Sequence, residues 1–155
     1  MLTKQCEYAA SVTASPIETR ILVIDDDPSV GAAIRLTLER KGRSTQYVSD
    51  AHAGIRAFET GHFDLVITDL FMREMNGLKA IAEIRDRAPM VPILAISGFR
   101  FRDSMDPGLD FLSMAAKVGA TAGLRKPFTP GQLTAAVEAS LQRTHNDVGG
   151  MKIGA

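Results

Sequence analysis

No disulfide can form within this chain, because Cys6 is its only cysteine. A lone thiol near an end is a bystander, and it suits a reducing compartment. There is no surplus of either charge: Lys plus Arg is 18, Asp plus Glu is 18, and the formal net charge is +0. Direct nucleic-acid binding normally needs a basic excess, so the balance argues against it. The first twenty residues contain no apolar h-region of the secretory kind. No apolar run approaches the roughly 18 residues that a membrane helix requires. These absences point to a cytoplasmic protein without membrane attachment.

What remains is ordinary material for a core. Apolar residues make up 45% of the 155, enough for one domain. Residues 1–18 are mixed and polar and read as a flexible extension. The domain is expected over residues 19–143, and residues 144–155, rich in glycine, are expected to fray.

Within 19–143 the pattern repeats. Residues 20–25, 64–69 and 91–97 are near-continuous apolar runs, the mark of buried strands. Residues 44–48 and the stretch AGLRK at 122–126 are weaker strands. Between them lie segments with helical spacing. Val30, Ala33, Ile34, Thr37 and Leu38 form one stripe, ending at Lys41-Gly42. Residues 51–59 form a short helix closed by Gly61. Leu78, Ile81, Ala82 and Ile84 mark a third, closed by Pro89. Phe111–Val118 is a fourth. Leu133, Val137 and Leu141 stripe the fifth, opened by a capping box of Thr129 and Gln132 around Pro130. Five βα units with buried strands imply a parallel sheet covered on both faces. Ligands of such sheets gather beyond the carboxyl ends of the strands.

The residues that finish the strands are Asp25-Asp26, Asp69, Ser97 and Lys126. Three carboxylates on adjacent loops repel unless a cation intervenes. Oxygen-only ligands suit Mg²⁺, which keeps several waters and takes a phosphate as a further ligand. Asp69 can then act as a nucleophile, with Ser97 and Lys126 positioned for a phosphoryl group. Asp27, just before Pro28, reads as a helix N-cap. His52, His62 and His145 have no ligand spacing and read as surface residues. The methionines are scattered and read as packing.

The motifs ILVIDDDP, DLVITDLFM, ILAIS and LRKPF, in that order, resemble the receiver domain of two-component response regulators. The resemblance covers roughly residues 20–143. It implies a flavodoxin-like α/β fold with strand order 2-1-3-4-5. It implies that a sensor histidine kinase or histidine phosphotransfer protein donates a phosphoryl group to Asp69. By the same resemblance Asp25 and Asp26 position Mg²⁺, Phe71 adds a backbone carbonyl ligand, Ser97 is the switch hydroxyl and Lys126 pairs with the phosphate. The Lys126–Pro127 bond matches one that is usually cis in the family. Such a protein turns over nothing but its own phosphorylation and dephosphorylation. The expected output surface is the fourth helix, fifth strand and fifth helix, with Phe111, Leu112 and Met114 on that helix. No output domain is expected after the fifth helix, so a stand-alone regulator read by a downstream effector protein is expected.

Four features depart from the family pattern. The aromatic usually found three residues before the lysine is replaced by Gly123, and Phe99 or Phe101 is a candidate substitute. The segment between Ser97 and Lys126 is long, with its excess in the polar loop 98–110. Phe71 and Phe99, two beyond Asp69 and Ser97, stand where polar residues often help water attack, so slow hydrolysis of the aspartyl phosphate is expected. Arg73 also replaces a frequent proline. Two competing functions carry weaker signals. DDDPS is reminiscent of haloacid-dehalogenase-type phosphatases, with Asp25 as nucleophile and Asp27 as acid, but only Glu138 and Asp147 are available downstream as a second acidic pair. A receiver-like interaction module that is never phosphorylated is the other.

Overall fold

The computed structural model describes residues 18–73, 75–98 and 111–149, with side chains as far as residue 143. The element order is β1 (Arg20–Ile24), α1 (Pro28–Glu39), β2 (Ser44–Val48), α2 (Ala51–Thr60), β3 (Leu65–Asp69), α3 (Gly77–Arg87), β4 (Ile93–Ser97), α4 (Phe111–Val118), β5 (Ala122–Arg125) and α5 (Pro130–Gly149). All five strands are parallel, in the order β2-β1-β3-β4-β5. This is the flavodoxin-like arrangement expected from the sequence.

Alternation along the central strands divides the core into two layers. Leu22, Ile24, Val66, Ile93 and Ala95 pack with Ala51 and Ile55 of α2, Ala80, Ile81 and Ile84 of α3, and Ala115 of α4. Ile21, Val23, Leu65, Ile67, Leu94 and Ile96 face the other way, against Ile34 and Leu38 of α1 and Leu133 and Val137 of α5. A strand that must satisfy both layers has no polar side, which is why β1, β3 and β4 read as unbroken apolar runs.

The local signals at the helix starts operate as chemistry. The Asp27 carboxylate accepts from the backbone N–H of Ser29 at 2.9 Å and caps α1, with Pro28 following. Thr129 and Gln132 exchange reciprocal side-chain-to-backbone bonds at 3.1 and 2.9 Å. Asn76 caps α3 by accepting from Leu78 N–H at 2.8 Å. β4 begins at Ile93 rather than at residue 91, since Pro92 has no N–H for a ladder and offers only its carbonyl, to Val66 N–H. α5 continues to Gly149, past the expected end at residue 143. No proline or glycine interrupts the chain between Gln132 and Gly149, so nothing local stops the helix earlier. Among the described residues, no helix is long and apolar enough to cross a membrane. Residues 1–17 of the expected extension, His145, and Phe99 and Phe101 lie outside the described side chains.

Candidate functional site

Parallel strands end at one edge, and the chemistry of this chain is concentrated there. Asp25 follows β1 and is 1% exposed, Asp69 ends β3 at 5%, and Ser97 ends β4 at 7%. Lys126 directly follows β5, and its N–H donates to the Ser97 carbonyl at 2.8 Å. Carboxylate oxygens of Asp25, Asp26 and Asp69 lie within 4.8 Å of one another. The five residues expected from the strand ends are therefore gathered on one edge of the sheet.

Three negative charges this close need compensation. The Lys126 ammonium supplies part of it, at 3.0 Å from Asp25 Oδ2 and 3.3 Å from Asp69 Oδ2. Burial pushes the Asp69 carboxyl above its usual range, and the nearby Asp25 charge adds to this. The Lys126 charge and a 3.2 Å bond from Phe71 N–H to Asp69 Oδ1 oppose the rise without cancelling it. For Lys126, burial works to lower the pKa, but the bonds and charges of Asp25 and Asp69 together leave it raised. The lysine is thus firmly protonated, and the cluster keeps an excess of negative charge.

That excess, and the donor set, decide which metal fits. Every ligand atom available is a carboxylate oxygen, with no imidazole or thiolate in the cluster. Hard divalent cations prefer this set. Neighbouring backbone amides orient the ligands: Asp27 N–H donates to Asp25 Oδ1 at 2.9 Å, and Arg73 N–H to Asp26 Oδ2 at 3.3 Å. A carboxylate oxygen accepts more than one bond, so these contacts leave capacity for a cation.

The other expectations divide. The Lys126–Pro127 bond is cis, as the resemblance implied. His52 and His62 are exposed. Met75 is buried in the core and Met72 packs against it. Glu138, the acid that a phosphatase would need, instead pairs with Arg43. At Gly123, where an aromatic is missing, the side chain of Leu112 from α4 has taken the space. A Cβ built on Gly123 would lie 2.9 Å from Leu112 Cδ2.

Two contacts at the site carried no motif. Phe71 meets Phe111, the first residue of α4, edge to face, with centroids 4.7 Å apart and planes at 81°. Both rings line a cavity of about 470 Å³ that reaches Asp26 and Arg73. Tyr47, on β2, donates from its hydroxyl to the backbone carbonyl of Asp25 at 2.7 Å.

The model of the response regulator receiver domain matches residues 21–138 of this chain. The transcriptional regulatory protein RprY of Bacteroides fragilis is 31% identical over 124 residues, which are 80% of this chain and 50% of that protein. The alkaline phosphatase synthesis transcriptional regulatory protein PhoP of Bacillus subtilis is 29% identical over 125 residues, 81% of this chain and 49% of that protein. The chain spans about half the length of these curated relatives. A receiver domain protein (CheY-like) from Methanospirillum hungatei superposes with a TM-score of 0.76 at 22% identity, covering 84% of this chain and 98% of that one. A receiver domain protein from Clostridium thermocellum gives 0.72 at 31% identity, covering 83% and 98%.

Proposed function

The chain belongs to the response regulator receiver family, and from that premise we propose that Asp69 accepts a phosphoryl group from a phosphohistidine and that protein partners read the result. The observation that carries this is Lys126, whose ammonium lies within 3.3 Å of carboxylate oxygens of both Asp25 and Asp69 at the edge where the strands end. We take the cation to be Mg²⁺, held by Asp25, Asp26, Asp69 and the Phe71 carbonyl. When bound, it neutralises the acidic cluster and the incoming phosphoryl oxygens.

The chain's own residues do the rest. Asp69 presents a carboxylate oxygen for in-line attack on phosphorus. The P–O bond forms as the P–N bond of the donor breaks, and the electron pair leaves with the imidazole, which water or solvent can protonate. Lys126 stays protonated and shifts from the carboxylates towards the new phosphoryl oxygens. The Ser97 hydroxyl donates to another of them. A groove of about 470 Å³ lined by Val30, Ala33, Gly98, Pro127 and Phe128 adjoins Lys126 and gives a donor protein an apolar seat beside the acceptor.

The competing phosphatase reading needs Asp27 free as an acid, whereas its carboxylate caps α1. The zero net charge favours output through a protein effector, on the face made by α4, β5 and α5, over direct contact with DNA. The listener is a cytoplasmic partner. The curated relatives are named as transcriptional regulators.

Incubation with Mg²⁺ and acetyl phosphate tests the reading. The expected product carries the phosphoryl group on Asp69 alone, located by mass spectrometry after borohydride trapping. Label on Asp25 with turnover of a phosphomonoester would establish the phosphatase instead. Absence of both label and Mg²⁺ binding would leave an interaction module.

Lifetime of the product follows from the same geometry. The half-buried Phe71 ring is braced edge to face by Phe111, and on the present reading it screens the acceptor from water. Phe71→Asn is expected to quicken aspartyl phosphate hydrolysis about tenfold, which corresponds to roughly 1.4 kcal/mol of barrier. Decay of purified phosphoprotein in the absence of any partner measures this, and equal half-lives would count against it.

A further inference from the structure

Tyr47 performs a task that nothing in its sequence context announces. β2 is an outer strand, and Tyr47 pairs in register with Val23, two residues before Asp25. Its hydroxyl nevertheless reaches forward to donate to the Asp25 carbonyl at 2.7 Å. Next to it, Val48 accepts from the Asp25 N–H at 3.2 Å. β2 therefore holds residue 25 by both of its backbone polar groups.

The ring reaches that position through a gap made for it. Gly31 is buried at the fourth position of α1, where its N–H donates to the Asp27 carbonyl. A Cβ there would lie 2.2 Å from Tyr47 Cε2 and 2.6 Å from Cδ2, so no side chain fits beside the ring. A helix-interior glycine costs about 1 kcal/mol relative to alanine. The chain carries that cost at the one turn of α1 over which the tyrosine passes.

The bond matters because the carbonyl of residue 25 belongs to the peptide that links Asp25 to Asp26. Two adjacent carboxylates lower their repulsion by turning apart. Fixing the peptide between them keeps both turned towards Asp69. We propose that Tyr47 is a positioning residue for the metal-binding pair, locking the Asp25–Asp26 peptide through its hydroxyl so that both carboxylates converge. The inference rests on the reading of this site as a Mg²⁺ site. Groups that support a ligand from behind typically change metal affinity by about 10–100-fold when removed.

Tyr47→Phe in the full chain tests this, since it keeps the ring on Gly31 and deletes only the hydroxyl. Titration with MgCl₂, followed by amide NMR shifts, reads affinity without reference to phosphorylation. The expected result is a dissociation constant about tenfold weaker than wild type, with a phosphorylation defect at low Mg²⁺ that excess Mg²⁺ rescues. Gly31→Ala, which keeps the tyrosine but pushes aside the ring that carries its hydroxyl, is a second variant and should weaken Mg²⁺ binding in the same direction. Wild-type affinity in both variants would overturn the inference while leaving the receiver reading intact. A wild-type protein that binds no Mg²⁺ would overturn the metal reading itself, and this inference with it.

Discussion

Asp69→Asn is expected to accept no phosphoryl group from acetyl phosphate and, without Mg²⁺, to melt at a higher temperature than the wild type at neutral pH. The first outcome follows from chemistry: an amide oxygen is a far weaker nucleophile than a carboxylate, and Asp25, the other acid beside Lys126, is taken up on the present reading as a metal ligand. The second follows from electrostatics. Burial raises the folded-state pKa of Asp69 above its usual value, and Asp25 adds to the rise. A raised acid binds more protons folded than unfolded, so its contribution to stability is present at low pH and is lost as pH rises through the folded pKa. At neutral pH the ionised Asp69 therefore weighs against the fold, and asparagine removes that burden while Lys126 keeps Asp25 as a partner. The gap between variant and wild type should narrow as pH falls through the raised pKa of Asp69 and the wild-type carboxyl regains its proton. Saturating Mg²⁺ should narrow it too, because a cation that binds only the folded state stabilises it by mass action, and the variant has lost one ligand. Thermal melts in EDTA across pH, repeated with Mg²⁺, check every limb of this argument. A variant that melts below wild type at pH 7 in EDTA would contradict it.

Much of the fold was legible because each strand end is written locally. Ile21–Ile24, Leu65–Thr68 and Ile93–Ile96 have to satisfy two layers at once, so they appear as runs that no solvent-facing segment could match. Where they stop, a polar residue stops them, and parallel topology then brings those residues to one edge. Asp25, Asp69, Ser97 and Lys126 could be found by that logic before any coordinate was known. Asp27 could be separated from its neighbours because Pro28 marks the start of a helix. What could not be read depends on contacts between elements that share no motif. Tyr47 sits on a weak outer strand, and only the pairing of β2 with β1 aims its hydroxyl at Asp25. Leu112 over Gly123 requires knowing how α4 lies across β5. Phe71 against Phe111 joins the site to α4 by a route that spacing alone does not show. Arg85 donates to the carbonyls of Gly119, Ala88 and Pro89 and ties the end of α3 to the turn before β5, partners that no local pattern names. Neutral charge and short strands carry no trace of these pairings.

Gly77→Ala is expected to cost about 2–3 kcal/mol of stability, in the range of overpacked cores, and to impair phosphorylation of whatever folds. The glycine opens α3 directly behind the acceptor, and its N–H donates to the Leu70 carbonyl at 3.0 Å. A Cβ there would lie 2.3 Å from the carbonyl oxygen of Asp69 and 2.5 Å from Leu70 Cα. Both are backbone atoms, so no rotamer change relieves the clash. Either α3 retreats from β3, opening the layer that Ala80, Ile81 and Ile84 close, or the chain after Asp69 moves and carries the acceptor and Phe71 with it. The first path appears as a lowered melting temperature and the second as weaker Mg²⁺ binding. Gly131 is the control, since nothing but the flexible Thr129 hydroxyl lies within 4 Å of a Cβ there, at 3.9 Å. Alanine at Gly131, in the first turn of α5, should match or slightly exceed wild-type stability through its better helix propensity. If Gly77→Ala proved as harmless as Gly131→Ala, then the close approach of α3 to Asp69 would not be what holds the acceptor in place.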